Sequence, residues 1–208
     1  MKASLKLYLV TDQSYHPNTP LEEQVELAIK GGVTCVQLRE KHLDKDAQIA
    51  LGKRIHEITQ KYGVPLIIND FPDIALAVQA EGVHIGQEDL DIKSVRKLLG
   101  PNAIIGVTAK TESQAVEAEL QGADYIGVGA LFASPTKTVA QKITFETFES
   151  ISKTVHIPIV VIGGINAKNL SQIAHLKFDG VAVVSALLDS EDILETTQSF
   201  KKQLEAIL

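Results

Sequence analysis

Eight short runs rich in Val, Ile and Leu alternate with segments of helical length along nearly the whole chain, and few folds accept that rhythm. The runs lie near residues 5–11, 33–39, 66–69, 82–85, 104–108, 125–128, 159–162 and 180–184. Most are apolar throughout rather than on alternate residues, so strands built from them need cover on both faces. Helical spacing of apolar residues fills several of the gaps. Leu21, Val25, Ala28 and Ile29 share a face over 21–30, and Ile49, Ala50, Ile55 and Ile58 do so over 46–62. Over 111–121, Thr111 suits an N-cap while Ala115, Ala118 and Leu120 turn toward a core. Residues 191–208 carry Ile193, Leu194, Phe200, Leu204 and Ile207 on a broad stripe.

Strand–helix repetition builds parallel sheet. Eight units of about 20–25 residues predict an α/β protein of the closed (β/α)8, or TIM, barrel type. An open doubly wound sheet is the competing fold. It needs a reversal of strand order, and no Gly-x-Gly-x-x-Gly follows the first run. The 208 residues show no linker, repeat or shift in composition, so a single barrel domain over 1–208 is expected.

Composition narrows the function classes. A hydrophobic fraction of 45% and a charged fraction of 22% suit an ordinary globular core. The net charge of −6 argues against a nucleic-acid partner, which calls for a basic footprint, but leaves room for a local anion site. No apolar run approaches the ~18 residues of a membrane span. The N-terminal stretch lacks the pattern of a leader, and a cytoplasmic location without a membrane partner is expected. A single cysteine, Cys35, excludes an internal disulfide, and its place inside a strand run points to packing.

Polar side chains recur where the apolar runs end. Gln37 and Arg39 close the second run with Glu40 and Lys41 beyond, and Asn69-Asp70 closes the third. Gln87-Glu88-Asp89 follows the fourth, and Pro135-Thr136-Lys137 lies in the stretch 130–143 after the sixth. Gly163-Gly164 and Val184-Ser185 close the last two. A parallel barrel gathers such positions on one rim. Asp70 and Asp89 on neighbouring strands can bind a hard cation such as Mg²⁺ together with a phosphate-bearing ligand. The plainer reading makes Asp89 or Asp91 the cap of a helix from Ile92. Arg39, Lys41 and Lys137 can clamp a polyphosphate. The alternative pairs them on the surface with Glu40 and Asp44. Gly163-Gly164 lets backbone N–H groups approach a ligand, and the loops after the last two strands are a frequent phosphate site in barrels. His84, inside a strand, reads as a packed, hydrogen-bonded side chain.

Taken in order, Tyr8-Leu9-Val10-Thr11-Asp12, Val36-Gln37-Leu38-Arg39-Glu40-Lys41, Ile67-Ile68-Asn69-Asp70 and Gly82-Val83-His84-Ile85-Gly86-Gln87-Glu88-Asp89 resemble the thiamine-phosphate synthase family. So do Gly122-Ala123-Asp124-Tyr125-Ile126-Gly127-Val128-Gly129, Pro135-Thr136-Lys137, Ile162-Gly163-Gly164-Ile165 and Val183-Val184-Ser185-Ala186. The resemblance implies a (β/α)8 barrel with two small-molecule substrates, 4-amino-2-methyl-5-hydroxymethylpyrimidine diphosphate and 4-methyl-5-(2-hydroxyethyl)thiazole phosphate. The products would be thiamine phosphate and pyrophosphate, formed with Mg²⁺ through a dissociative pyrimidinylmethyl cation. It further implies that Asp70 and Asp89 hold the metal. Gln37, Arg39, Lys41, Asn69, Thr136 and Lys137 would line the pyrimidine-diphosphate site, with Arg39, Lys137 and Thr108 at the departing pyrophosphate. Gly164, Val184 and Ser185 would hold the thiazole phosphate, and a homo-oligomer is compatible with a barrel surface.

Three departures stand out. Phe71 follows Asn69-Asp70 where the family often has arginine, Lys110 stands where histidine is usual, and the stretch after Lys137 lacks a proline–glycine pattern. Three other readings stay open: a thiazole tautomerase on the same scaffold, a catalytically silent phosphate-binding regulator, and Schiff-base chemistry at Lys137.

Overall fold

The computed structural model describes residues 5–133 and 142–208. Eight parallel strands close into a barrel in sequence order, each hydrogen-bonded to the next and the last to the first. They are β1 (Leu7–Val10), β2 (Cys35–Leu38), β3 (Leu66–Asn69), β4 (Gly82–Ile85), β5 (Ile104–Ala109), β6 (Tyr125–Val128), β7 (Ile159–Ile162) and β8 (Gly180–Val183). The open-sheet alternative is thereby excluded. Around the barrel lie α1 (Leu21–Gly31), α2 (Lys45–Tyr62), α3 (Pro72–Val78), α4 (Ile92–Leu99), α5 (Glu112–Gln121), α6 (Phe145–Thr154), α7 (Ser185–Leu188) and α8 (Ile193–Glu205). A 3-10 turn over Leu170–Ile173 takes the place of a full helix after β7.

The strands are apolar on both faces because each face has its own core. Leu7 and Leu9 of β1, Val36 and Leu38 of β2, and Leu66 and Ile68 of β3 point outward under the helices. Alternate residues point inward and form a second cluster that includes Tyr8, Val10, Cys35, Ile67, Tyr125, Val160 and Ala182. Space inside is made by omission. A β-carbon at Gly106 would lie 2.0 Å from the Tyr125 ring, so glycine on β5 lets that ring cross the barrel.

One end of the barrel is pinned by a repeated device. Thr34, Glu81, Asp124 and Asp179 each stand just before an even-numbered strand, and each accepts a backbone N–H at the start of the preceding strand. Those donors are Leu7 (3.0 Å), Leu66 (2.8 Å), Ile105 (2.8 Å) and Ile159 (2.8 Å). Arg96 adds a 2.7 Å bond to Asp124. This end is occupied by structural bonds, and the opposite rim is free for ligands.

The structure refines several expectations. Thr111 caps α5 through the N–H of Gln114, and Ala115 and Ala118 are buried, but Leu120 is 76% exposed. Two residues beyond Ala118 is about 200° around the helix, away from the barrel. Ala50 is likewise exposed, and α2 buries Leu51, Gly52 and Ile55 instead. The helices α3 and α6 sit where apolar residues show no strong periodicity. Phe71, whose side chain makes no cap bond, precedes α3, and Thr144 caps α6.

Candidate functional site

The free rim opens into a cavity of about 160 Å³. Gln37 and Arg39 reach it from β2 and the loop beyond, Asn69 from β3 and Thr108 from β5. Gly164 follows β7, and Val184 and Ser185 follow β8. Seven residues expected at the site from sequence therefore share one cavity. Val160, Ile162 and Ile165 give it an apolar wall.

Lys41, Asp70 and Asp89 stand outside the lining. The ammonium of Lys41 lies 3.4 Å from the Asp70 carboxylate at the rim. The surface pairing with Glu40 and Asp44 gives way to different bonds. Glu40 accepts from the Thr11 hydroxyl at 2.8 Å and from the N–H of Gln13 at 3.3 Å, and Asp44 caps α2. Thr11 in turn accepts the Arg39 N–H at 3.0 Å, so the end of β1 fixes the backbone that carries the guanidinium. Burial holds the Glu40 carboxyl above its ordinary range. Thr136 and Lys137 lie outside the described residues, as does most of the stretch 130–143.

Asp91, not Asp89, caps α4, accepting the Ser94 N–H at 3.0 Å. Asp89 instead accepts the Gly86 N–H through Oδ2 at 2.6 Å. Asp70 and Asp89 are thus two carboxylates at the ends of adjacent strands, neither spent on capping a helix. Among the described residues no group of three or more His, Cys, Asp or Glu is assembled for a metal. Two hard oxygen donors suit Mg²⁺, which keeps waters and takes substrate phosphate oxygens as its remaining ligands.

The turn after β7 is built for close backbone approach. Gly163 and Gly164 have φ of 101° and 66°, and a β-carbon on Gly164 would lie 2.1 Å from the Ala133 carbonyl oxygen. Side-chain amides of Asn166 and Asn169 both donate to the Gly164 carbonyl, at 3.2 and 2.9 Å, and hold the turn. Ser185 is the first residue of the short α7.

Sequence reasoning passed over the floor of the cavity. Tyr8, His84 and Tyr125 line it together with Gln37 and Thr108. Gln37 Nε2 donates to the Tyr8 hydroxyl at 2.9 Å, and that hydroxyl is 2.9 Å from the Tyr125 hydroxyl. Tyr125 reaches His84 Nδ1 at 3.0 Å, and His84 Nε2 reaches the Thr108 hydroxyl at 3.0 Å. His84 is hydrogen-bonded as expected, but it also faces the cavity. Burial raises both tyrosine pKa values well above the ordinary phenol range and pushes the Cys35 thiol up as well. The available signal was polar or hydroxylated residues at inward positions of otherwise aliphatic strands. Lys110, noted only as a departure, lines the cavity too, and its N–H is held by Gln114 at 2.8 Å.

Comparison with known proteins gives a consistent result. The family model for thiamine monophosphate synthase matches residues 7–187. Thiamine-phosphate synthase 2 of Streptococcus pneumoniae serotype 4 is 46% identical over 207 residues, covering 100% of this chain and 99% of the relative. Thiamine-phosphate synthase of Ruminiclostridium cellulolyticum is 49% identical over 197 residues, covering 95% and 94%. The solved thiamine phosphate pyrophosphorylase from Pyrococcus furiosus superposes with a TM-score of 0.90 at 37% identity, covering 100% of this chain and 98% of that one.

Proposed function

Because the chain belongs to the thiamine monophosphate synthase family and is a transferase that makes thiamine phosphate, we propose how its cavity divides the work between two substrates. The pyrimidine diphosphate lies against Gln37, Arg39, Asn69 and Thr108, with Thr136 and Lys137 joining from the stretch after β6. The thiazole phosphate lies against Gly164, Val184 and Ser185. The convergence of seven such residues from five strands on one cavity is the observation that carries this reading. Full-length relatives are named as synthases, which favours it over the thiazole tautomerase.

As the C–O bond to the diphosphate breaks, negative charge grows on the leaving oxygens. Arg39 and the ammonium groups of Lys41, Lys110 and Lys137 bind that charge better than the ground state. Asp70 and Asp89 would hold Mg²⁺, which when bound adds Lewis-acid neutralisation of the diphosphate. Lys41, beside Asp70, supplies positive charge at the place where Phe71 cannot; Phe71 itself is 45% exposed. Lys110 gives the mouth a further cation.

The pyrimidinylmethyl cation must meet the thiazole nitrogen before any other nucleophile. Val160, Ile162 and Ile165 keep water from that side of the cavity. The Tyr8 and Tyr125 phenols and the Cys35 thiol stay protonated, so none competes as an anion. Positioning two anionic substrates is then the main task left to the protein. The reducing cytoplasm is the proposed location, supported by the lone, buried Cys35. Separately, no described helix is long and apolar enough to cross a membrane.

Steady-state kinetics on two variants tests the division. Ser185→Ala should raise KM for thiazole phosphate alone, and Arg39→Ala should raise KM for the pyrimidine diphosphate and lower kcat. If both variants weaken the same substrate, the two-site reading is wrong.

A further inference from the structure

Five polar side chains from five strands form one unbroken hydrogen-bonded chain across the barrel floor: Gln37, Tyr8, Tyr125, His84 and Thr108. Two glycines clear space for its rings. A β-carbon at Gly106 would strike Tyr125, and one at Gly127 would lie 3.0 Å from His84 Cε1. Gln87 fixes the far end by donating to the Thr108 carbonyl at 2.6 Å.

With each phenol keeping its proton and the imidazole carrying one, such a chain has two complete directions. In one, Gln37 donates to Tyr8, Tyr8 to Tyr125, Tyr125 to His84 Nδ1, and His84 Nε2–H to Thr108. The Thr108 hydrogen then points to the cavity. In the other, Thr108 donates to Nε2, Nδ1–H donates to Tyr125, and the order reverses back to Gln37 Oε1. Thr108 would then offer a ligand only lone pairs.

Both ends fit the first direction. The Gln37 amide turns its Nε2 to Tyr8. At the other end a diphosphate has only acceptor oxygens and needs a donor. The Cys35 thiol also neighbours the Tyr8 hydroxyl, but sulfur is too weak an acceptor to divert its proton from Tyr125.

We propose that this chain holds His84 as the Nε2–H tautomer and so presents the Thr108 hydroxyl as a hydrogen-bond donor to the departing pyrophosphate. Tyr8, Tyr125 and His84 are then positioning residues that act through Thr108. The proposal rests on the synthase reading, in which Thr108 meets the pyrophosphate. It adds a link between the two ends of one substrate, since the Gln37 amide that starts the chain also lines the pyrimidine site.

The test is ¹⁵N NMR of histidine-labelled protein, which separates protonated from unprotonated ring nitrogens. The His84 signals are assigned by their loss in His84→Gln. Wild-type protein should show Nε2 protonated and Nδ1 bare; the opposite pattern would overturn the proposal. Tyr125→Phe should abolish that single tautomer and slow kcat about tenfold, with KM for thiazole phosphate unchanged. In a Thr108→Ala background the same substitution should cost less than about twofold. An undiminished loss in that background, or an unchanged tautomer in Tyr125→Phe, would mean that Tyr125 does not act through Thr108. Should Tyr125→Phe fail to fold, Tyr8→Phe replaces it in both measurements. Wild-type protein that makes no thiamine phosphate would refute the synthase reading, while the spectrum would still decide the direction of the chain.

Discussion

Gly164→Ala is a sharp probe of the phosphate cradle. At φ 66° an added β-carbon meets left-handed strain, about 1–2 kcal/mol for an L-residue. It would also lie 2.1 Å from the Ala133 carbonyl oxygen, backbone that cannot rotate aside. The turn must therefore shift, and on the proposed division of the cavity its N–H groups move away from the thiazole phosphate. Losing one charge-assisted hydrogen bond costs about 1.5–3 kcal/mol, which is roughly a 10- to 150-fold weaker complex. Calorimetric titration with thiazole phosphate reads that loss directly. KM for the pyrimidine diphosphate should stay near the wild-type value. The strain alone should lower Tm by about 2–8 °C, leaving a folded protein at assay temperature. Unchanged affinity for thiazole phosphate would refute the assignment of Gly164 to its phosphate.

Further outcomes follow from the same structure. Asp70→Asn and Asp89→Asn should each shift the Mg²⁺ dependence of turnover to higher concentration; an identical Mg²⁺ titration for both would remove them from the metal site. Gly106→Ala should destabilise by about 1–3 kcal/mol in urea unfolding because its methyl overlaps the Tyr125 ring, and wild-type stability would show that the ring has other room. Glu40 is held by burial above the ordinary carboxylate range. Its folded state binds the proton more tightly, so its stability term is fully present below the unfolded pKa and is lost as pH rises through the raised value. The Tm of Glu40→Gln relative to wild type should therefore climb with pH across that window, and a flat difference would contradict the buried placement.

How far the sequence foretells this molecule varies with the kind of signal. Strand positions were clear because continuous Val/Ile runs such as Ile159–Ile162 need two covered faces, and a closed barrel provides them. The third helix was obscure because the seven residues Pro72–Val78 are too few for a periodic stripe, and its Leu76 is 51% exposed. Rim residues announced themselves as polar breaks at strand ends, which is why Gln37, Arg39 and Asn69 fell into one cavity, whereas Thr108 was expected there only through the family resemblance. Tyr8 and Tyr125 did not, since an aromatic ring in an apolar run reads as core until the register shows which face it takes. His84 was legible as a bonded residue but not as part of the floor, because its partners come from strands far apart in sequence. Asp89 and Asp91 could be told apart only by backbone geometry, which gives the helix cap to Asp91.

The most direct measurement is a coupling reaction with purified protein, both substrates and Mg²⁺, run with and without chelator, with thiamine phosphate and pyrophosphate quantified together. Equal amounts of the two products, abolished by chelator and restored by added Mg²⁺, are the predicted result. No thiamine phosphate from protein that still binds thiazole phosphate would contradict the account.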